Sequence, residues 1–97
     1  MYKLSKLAAE DFAAIYEYTL IHHGAEQADS YTSKLEKTFN LLAISPFIGN
    51  EQADIAKGVR RLNQQKHAIF YRQREHDIFI IRILHQHMDA WVQLLDF

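Results

Sequence analysis

Hydrophobic positions along the chain follow two periods, and the change falls at Gly58. Tyr2–Leu4 alternates as a short strand. Ser5 then offers a hydroxyl that can accept from an early backbone N–H, as helix N-caps do. Phe12, Ile15, Tyr16 and Thr19 recur at steps of three and four, which predicts a helix with one apolar face. Glu10 and Asp11 lie in its early turns, where carboxylates suit the positive end of the helix dipole. His22 and His23 sit near its end, where imidazoles suit the negative end, and Gly24 supplies the stop. A second helix is predicted from Ala25, with Ala28, Tyr31, Leu35, Phe39 and Leu42 as its buried stripe. Ser45-Pro46 ends it, because the residue before a proline is pushed out of the α region. One glycine between two helices predicts an antiparallel hairpin. Its apolar stripes need a surface to cover.

Pro46 to Gly58 reads as irregular, with Gly49, Asn50 and Gly58 marking turns. Beyond Gly58 the period falls to about two. Val59–Gln65 and His67–Arg74 read as strands. Glu75-His76-Asp77 is a turn, and Ile78–His85 is apolar on both faces except at Arg82. That last pattern marks a central strand covered by helices on one side and partly on the other. Short turns between these three strands predict an antiparallel meander. Asp89 is placed to cap a last short helix carrying Trp91, Leu94 and Leu95. The expected fold class is therefore α+β, in the order β-α-α-β-β-β(-α), with a helical hairpin on one face of an antiparallel sheet. All of 1–97 is expected to form one domain, without repeat, linker or low-complexity segment. Phe12, Tyr16, Tyr31, Phe39, Phe70 and Phe79 are assigned to its core.

Composition narrows the classes. At 97 residues, 48% of them apolar, the chain can fill one core. It has no cysteine, which excludes a disulfide framework, a thiol nucleophile and a cysteine-based zinc site. That suits a cytoplasmic protein. Met1–Lys6 is too short and mixed for a signal peptide, and no run approaches the roughly 20 apolar residues of a membrane helix. Charge is divided along the chain. Residues 1–56 carry four lysines against eight carboxylates, net −4, and residues 57–97 carry seven cations against four carboxylates, net +3. All five arginines, Arg60, Arg61, Arg72, Arg74 and Arg82, fall in the second part. The domain is expected to have an acidic half and a basic half, although any single arginine can equally belong to a solvated face.

Arg82 is the most informative single residue. An arginine inside IFIIRILH must pair with a carboxylate, stack on Tyr71, or reach a partner at the open face of the sheet, because an unpaired buried charge is costly. His67 reads as a strand residue hydrogen-bonded to backbone. His85 and His87 can place two imidazoles on one side of an extended segment. Two ligands do not make a metal site, so neither a metal nor another cofactor is expected.

Four blocks in order resemble the ParE/RelE toxin family. They are Tyr2-Lys3-Leu4-Ser5 with Ala8, Asp11, Phe12, Ile15 and Tyr18; Leu41-Leu42 with Pro46-Phe47-Ile48-Gly49; Gly58-Val59-Arg60-Arg61-Leu62 with His67-Ala68-Ile69-Phe70-Tyr71-Arg72; and Ile81-Arg82-Ile83-Leu84-His85-Gln86-His87-Met88-Asp89. The resemblance covers nearly the whole chain. It departs at Asn50 and His87, where family members often carry a basic residue. It implies the toxin half of a type II toxin–antitoxin pair, with a ParD-like antitoxin covering the hairpin from about Phe12 to Leu42. The ParE branch implies inhibition of DNA gyrase by protein contact, with no covalent chemistry and no direct nucleic-acid binding required. Arg60, Arg61, Arg72, Arg82 and Trp91 are then the expected target face. The RelE branch implies a ribosome-dependent messenger RNA endonuclease. In that reading His85 would be acid or base, and Arg82 and Arg61 would hold phosphate. Such nucleases commonly carry a tyrosine near the C-terminus, whereas here none follows Tyr71 and Asp89 would repel phosphate. A third reading is an interaction module without toxicity.

Overall fold

The computed structural model describes residues 1–88 and 90–94, without the side chains of Trp91 and Val92. The expected cap at Asp89 and the expected roles of Trp91 and Leu95 lie outside the described residues. The elements run β1 (Tyr2–Leu4), α1 (Lys6–His23), α2 (Ala25–Ile44), β2 (Asn50–Glu51), β3 (Arg60–Gln64), β4 (His67–Gln73), β5 (Ile78–His85) and α3 (Ala90–Gln93).

Ser5 caps α1 as its sequence position implied: its backbone is extended and its Oγ accepts from the Ala8 N–H at 2.9 Å. Gly24 ends α1 at φ +91°, a left-handed conformation that favours glycine, and its N–H donates to Leu20 O at 3.0 Å. Helix α2 starts at the next residue, so one glycine turns the chain through the hairpin. Ala28, Tyr31, Leu35, Phe39 and Leu42 are all buried along α2.

The sheet order is β1-β5-β4-β3-β2. The β3–β4–β5 meander is antiparallel. The sheet as a whole is mixed, because β1 lies parallel to β5 with Tyr2 opposite Ile78 and Leu4 opposite Ile80. No tight turn joins these two strands, so nothing local forces them to run in opposite directions. The stretch expected to be irregular contributes β2, whose Asn50 and Glu51 pair with Arg61 and Arg60. Two residues are too few for a period to show.

Two clusters sandwich the sheet. On the hairpin side Ile15, Tyr31, Leu35 and Phe39 pack against Ile69, Tyr71, Ile78, Ile80 and Ile83. On the other side Val59, Ala68, Phe70, Ile81 and Leu84 are covered by Leu94 and by partly buried Ile55 and Ala56. A bulge in the β4–β5 pairing places Phe70 opposite Arg82 and Tyr71 opposite Ile80, leaving Ile81 as the extra residue. Both Ile80 and Ile83 therefore join the hairpin-side cluster, while Ile81 and Leu84 join the other. Strict alternation would have put Arg82 in line with Ile80. The bulge shifts it to the row of Phe70 and Leu84 on the other face, where its side chain is 14% exposed.

β1 pairs with β5 only as far as Ile80. Further along, α1 completes the edge. The Ser5 N–H donates to Ile80 O at 2.9 Å and its hydroxyl to Ile81 O at 2.6 Å. The Ile83 N–H donates to Asp11 Oδ2 at 3.0 Å. A central strand thus keeps its backbone groups satisfied where its neighbour strand has ended.

Candidate functional site

Arg61 and Arg82 both occupy positions opposite Phe70, and Arg72 one opposite Phe79, on the sheet face away from the hairpin. Arg82 forms a two-point pair with Asp11, Nε to Oδ2 at 2.7 Å and Nη2 to Oδ1 at 2.9 Å. That hydrogen bonding raises its pKa above the ordinary arginine value. Of the alternatives open to Arg82, the carboxylate pair is the one adopted, and stacking on Tyr71 is not. Asp11 therefore serves Arg82 and the Ile83 N–H, not the helix dipole. Arg60 donates to Gly49 O at 2.7 Å, and its guanidinium lies 4.9 Å from the Phe47 ring centre. Arg61 donates to Asn63 Oδ1 at 3.0 Å and lies over Phe70, on the face away from the hairpin. Arg72 is half-buried on β4, opposite Phe79 of β5. Of the residues expected of a nuclease, His85 lies opposite His67 at the cleft end of β5, whereas Arg61 and Arg82 flank Phe70 and Arg82 is paired with Asp11.

The structure instead gathers histidines. Pairing of β4 with β5 sets His67 opposite His85, with ring centres 5.7 Å apart, and His87 follows at 5.0 Å from His85. His67 Nδ1 lies 2.5 Å from the Tyr31 hydroxyl, and Gln64 O is a more distant acceptor at 3.3 Å. Burial lowers the His67 pKa below the ordinary value, helped by His85 and Lys66 and opposed by Asp11. Burial likewise raises the Tyr31 pKa. His67 thus bonds a side chain, not the backbone partner expected of it. Tyr31, His67, His85 and Lys66 line a cleft of about 660 Å³ between the hairpin and the ends of β4 and β5. Among the described residues no group of three or more His, Cys, Asp or Glu is arranged to hold a metal ion, and no helix is long and apolar enough to cross a membrane.

Next to the cleft the hairpin is apolar outside as well as inside. Helix α1 buries only Ala8, Ile15 and Thr19. It leaves Tyr18 60% and Ile21 69% exposed, with Leu7 and Leu20 also open. At the other end of the hairpin Leu41, Ile44, Phe47 and Ile48 are exposed. Single exposed apolar residues are ordinary; a contiguous patch of them is what marks an interaction surface. His22 stacks on Tyr18 at 4.1 Å and its Nδ1–H donates to Tyr18 O at 2.9 Å. This closes the C-terminal turn of α1.

A helical hairpin over one face of a small sheet, with this element order, is the RelE/ParE-like α+β arrangement. Comparison with known proteins makes the assignment finer. Residues 2–90 match the model of the family described as "ParE toxin of type II toxin-antitoxin system, parDE". The chain is 36% identical over 93 residues to Toxin ParE1 of Caulobacter vibrioides, covering 96% of each chain. It is 35% identical over 90 residues to Toxin ParE1 of Mycobacterium tuberculosis, covering 92% of each. Its fold is similar, with a TM-score of 0.73 and 24% identity, to a chain in the solved structure "Chromosomal ParDE TA system from P. aeruginosa", covering 87% of this chain and 92% of that one. The chain belongs to the ParE toxin family of type II toxin–antitoxin systems.

Proposed function

We propose that this protein is a growth-inhibiting toxin, held inactive by a cognate ParD-like antitoxin, and that it acts by binding DNA gyrase without covalent chemistry of its own. The family match across residues 2–90 carries this reading. Two structural features support it. The exposed apolar hairpin offers a helix-in-groove surface for the antitoxin. Of the two arginines that a nuclease would need, Arg82 is paired with Asp11, and Arg61 bonds Asn63 and lies over Phe70. For the gyrase contact the expected target face is Arg60, Arg61, Arg72, Arg82 and Trp91.

Two measurements test this. Expression of the chain alone should reduce colony counts, and co-expression with the protein encoded beside it should restore them. Purified chain should inhibit supercoiling by gyrase in proportion to its concentration. Normal supercoiling at large molar excess would remove gyrase as the target. Fragmentation of messenger RNA in induced cells would move the protein to the nuclease branch.

A further inference from the structure

The cleft beside the hairpin differs from the rest of the surface in shape and in charge. Its floor is apolar, built from Ala14, Ile15 and Ile83. Lys66 and His85 stand on its wall, and His87 adjoins His85 at a second, smaller hollow of about 300 Å³. Asp11 is the one carboxylate among the described lining residues, and the Arg82 guanidinium engages both of its oxygens. Nothing acidic in the wall is therefore left to balance Lys66, and the imidazoles add N–H donors. By contrast residues 1–56, which include the whole hairpin, carry a net charge of −4. An acidic chain approaching the hairpin is repelled along most of its length and attracted at this end. The volume suits one or two large side chains, within the usual range of ligand pockets.

We propose that this cleft is the anchoring subsite for an acidic segment of the antitoxin. One large apolar side chain of that segment sits against Ala14 and Ile15, and a flanking carboxylate faces Lys66 and His85. The proposal rests on the toxin–antitoxin reading above, and names where and by what chemistry the partner is held. Burial of the apolar side chain supplies most of the affinity. The carboxylate fixes direction and register.

The test uses the full chain and the protein encoded beside it, with the dissociation constant measured by titration calorimetry at low and high salt. Ala14, Lys66 and Lys57 are all exposed, so substitutions there keep the fold, which circular dichroism checks. Ala14→Trp fills the cleft and should weaken binding about tenfold or more. Lys66→Glu should weaken it several-fold at low salt, with the loss shrinking as salt screens the pair. Lys57→Glu makes the same charge change in the loop before β3 and should leave binding within about twofold of the parent. An unchanged constant for Ala14→Trp overturns the proposal, and so do equal effects of Lys66→Glu and Lys57→Glu, since both leave the toxin reading intact. Failure of the neighbouring protein to bind the unmodified chain at all overturns that reading and the proposal with it.

Discussion

Tyr71 ties β4 to the loop at Pro46 and Gly49 through one hydroxyl. It is fully buried, accepts from the Gly49 N–H at 2.9 Å and donates to Pro46 O at 2.9 Å. Gly49 is required there for space: a Cβ on it would lie 2.5 Å from the Tyr71 oxygen and 2.9 Å from Arg61 O. Tyr71→Phe keeps the packing and leaves two backbone groups without a partner. The thermal and urea midpoints should therefore fall by the equivalent of about 1–3 kcal/mol. His67 gives a pH dependence. Its pKa is lowered in the fold, so the native state holds it neutral where the unfolded chain begins to bind a proton. The stability it contributes is present above its unfolded value of about 6.5 and is lost as pH falls below that toward the folded pKa. His67→Gln should flatten the dependence of the melting midpoint on pH between about 7.5 and 5.5. An equally steep slope in the variant would place the titrating group elsewhere. In the alkaline range Tyr31 and Tyr71 both have raised pKa values, so stability should fall as pH rises above about 10.

Among the elements, β5 depends most on its surroundings. Its near-continuous apolar run places it at the centre of the sheet, and there it is found. The sequence did not indicate how its edge is completed beyond β1. Asp11 does this from α1, 71 positions away in the chain, with both the Arg82 pair and the Ile83 N–H. The two side chains are only 14% and 15% exposed. Asp11→Ala leaves a guanidinium and a backbone N–H without their partner, and should cost about 2–4 kcal/mol in chemical denaturation. Replacing both residues, Asp11→Leu with Arg82→Met, should recover part of that loss, since an apolar pair leaves no half-buried charge. A double variant no more stable than Asp11→Ala would show that the backbone contact to Ile83 dominates.

At the scale of the molecule, one side of the hairpin packs on the sheet while the other presents Tyr18 and Ile21 to solvent. Ile21→Glu should leave the melting midpoint within a few degrees of the parent, because the side chain is already exposed. Under the toxin–antitoxin reading it should also abolish rescue by the antitoxin while leaving toxicity. The sequence by itself determined the two long helices and the Ser5 and Gly24 caps, because helical spacing and capping act locally. It determined the meander for the same reason, since short turns dictate antiparallel neighbours. Family membership was also legible, from four ordered blocks. Only the tertiary structure decided the parallel seat of β1, the bulge that shifts Arg82 to the other row, the Asp11 pair, and the meeting of Tyr31, His67 and His85 in one cleft. Each of these depends on residues far apart in the chain, or on a one-residue shift in strand register. Neither leaves a mark in local periodicity. The physical division is between interactions along the backbone within a turn or two and contacts that exist only once the sheet has closed under the hairpin.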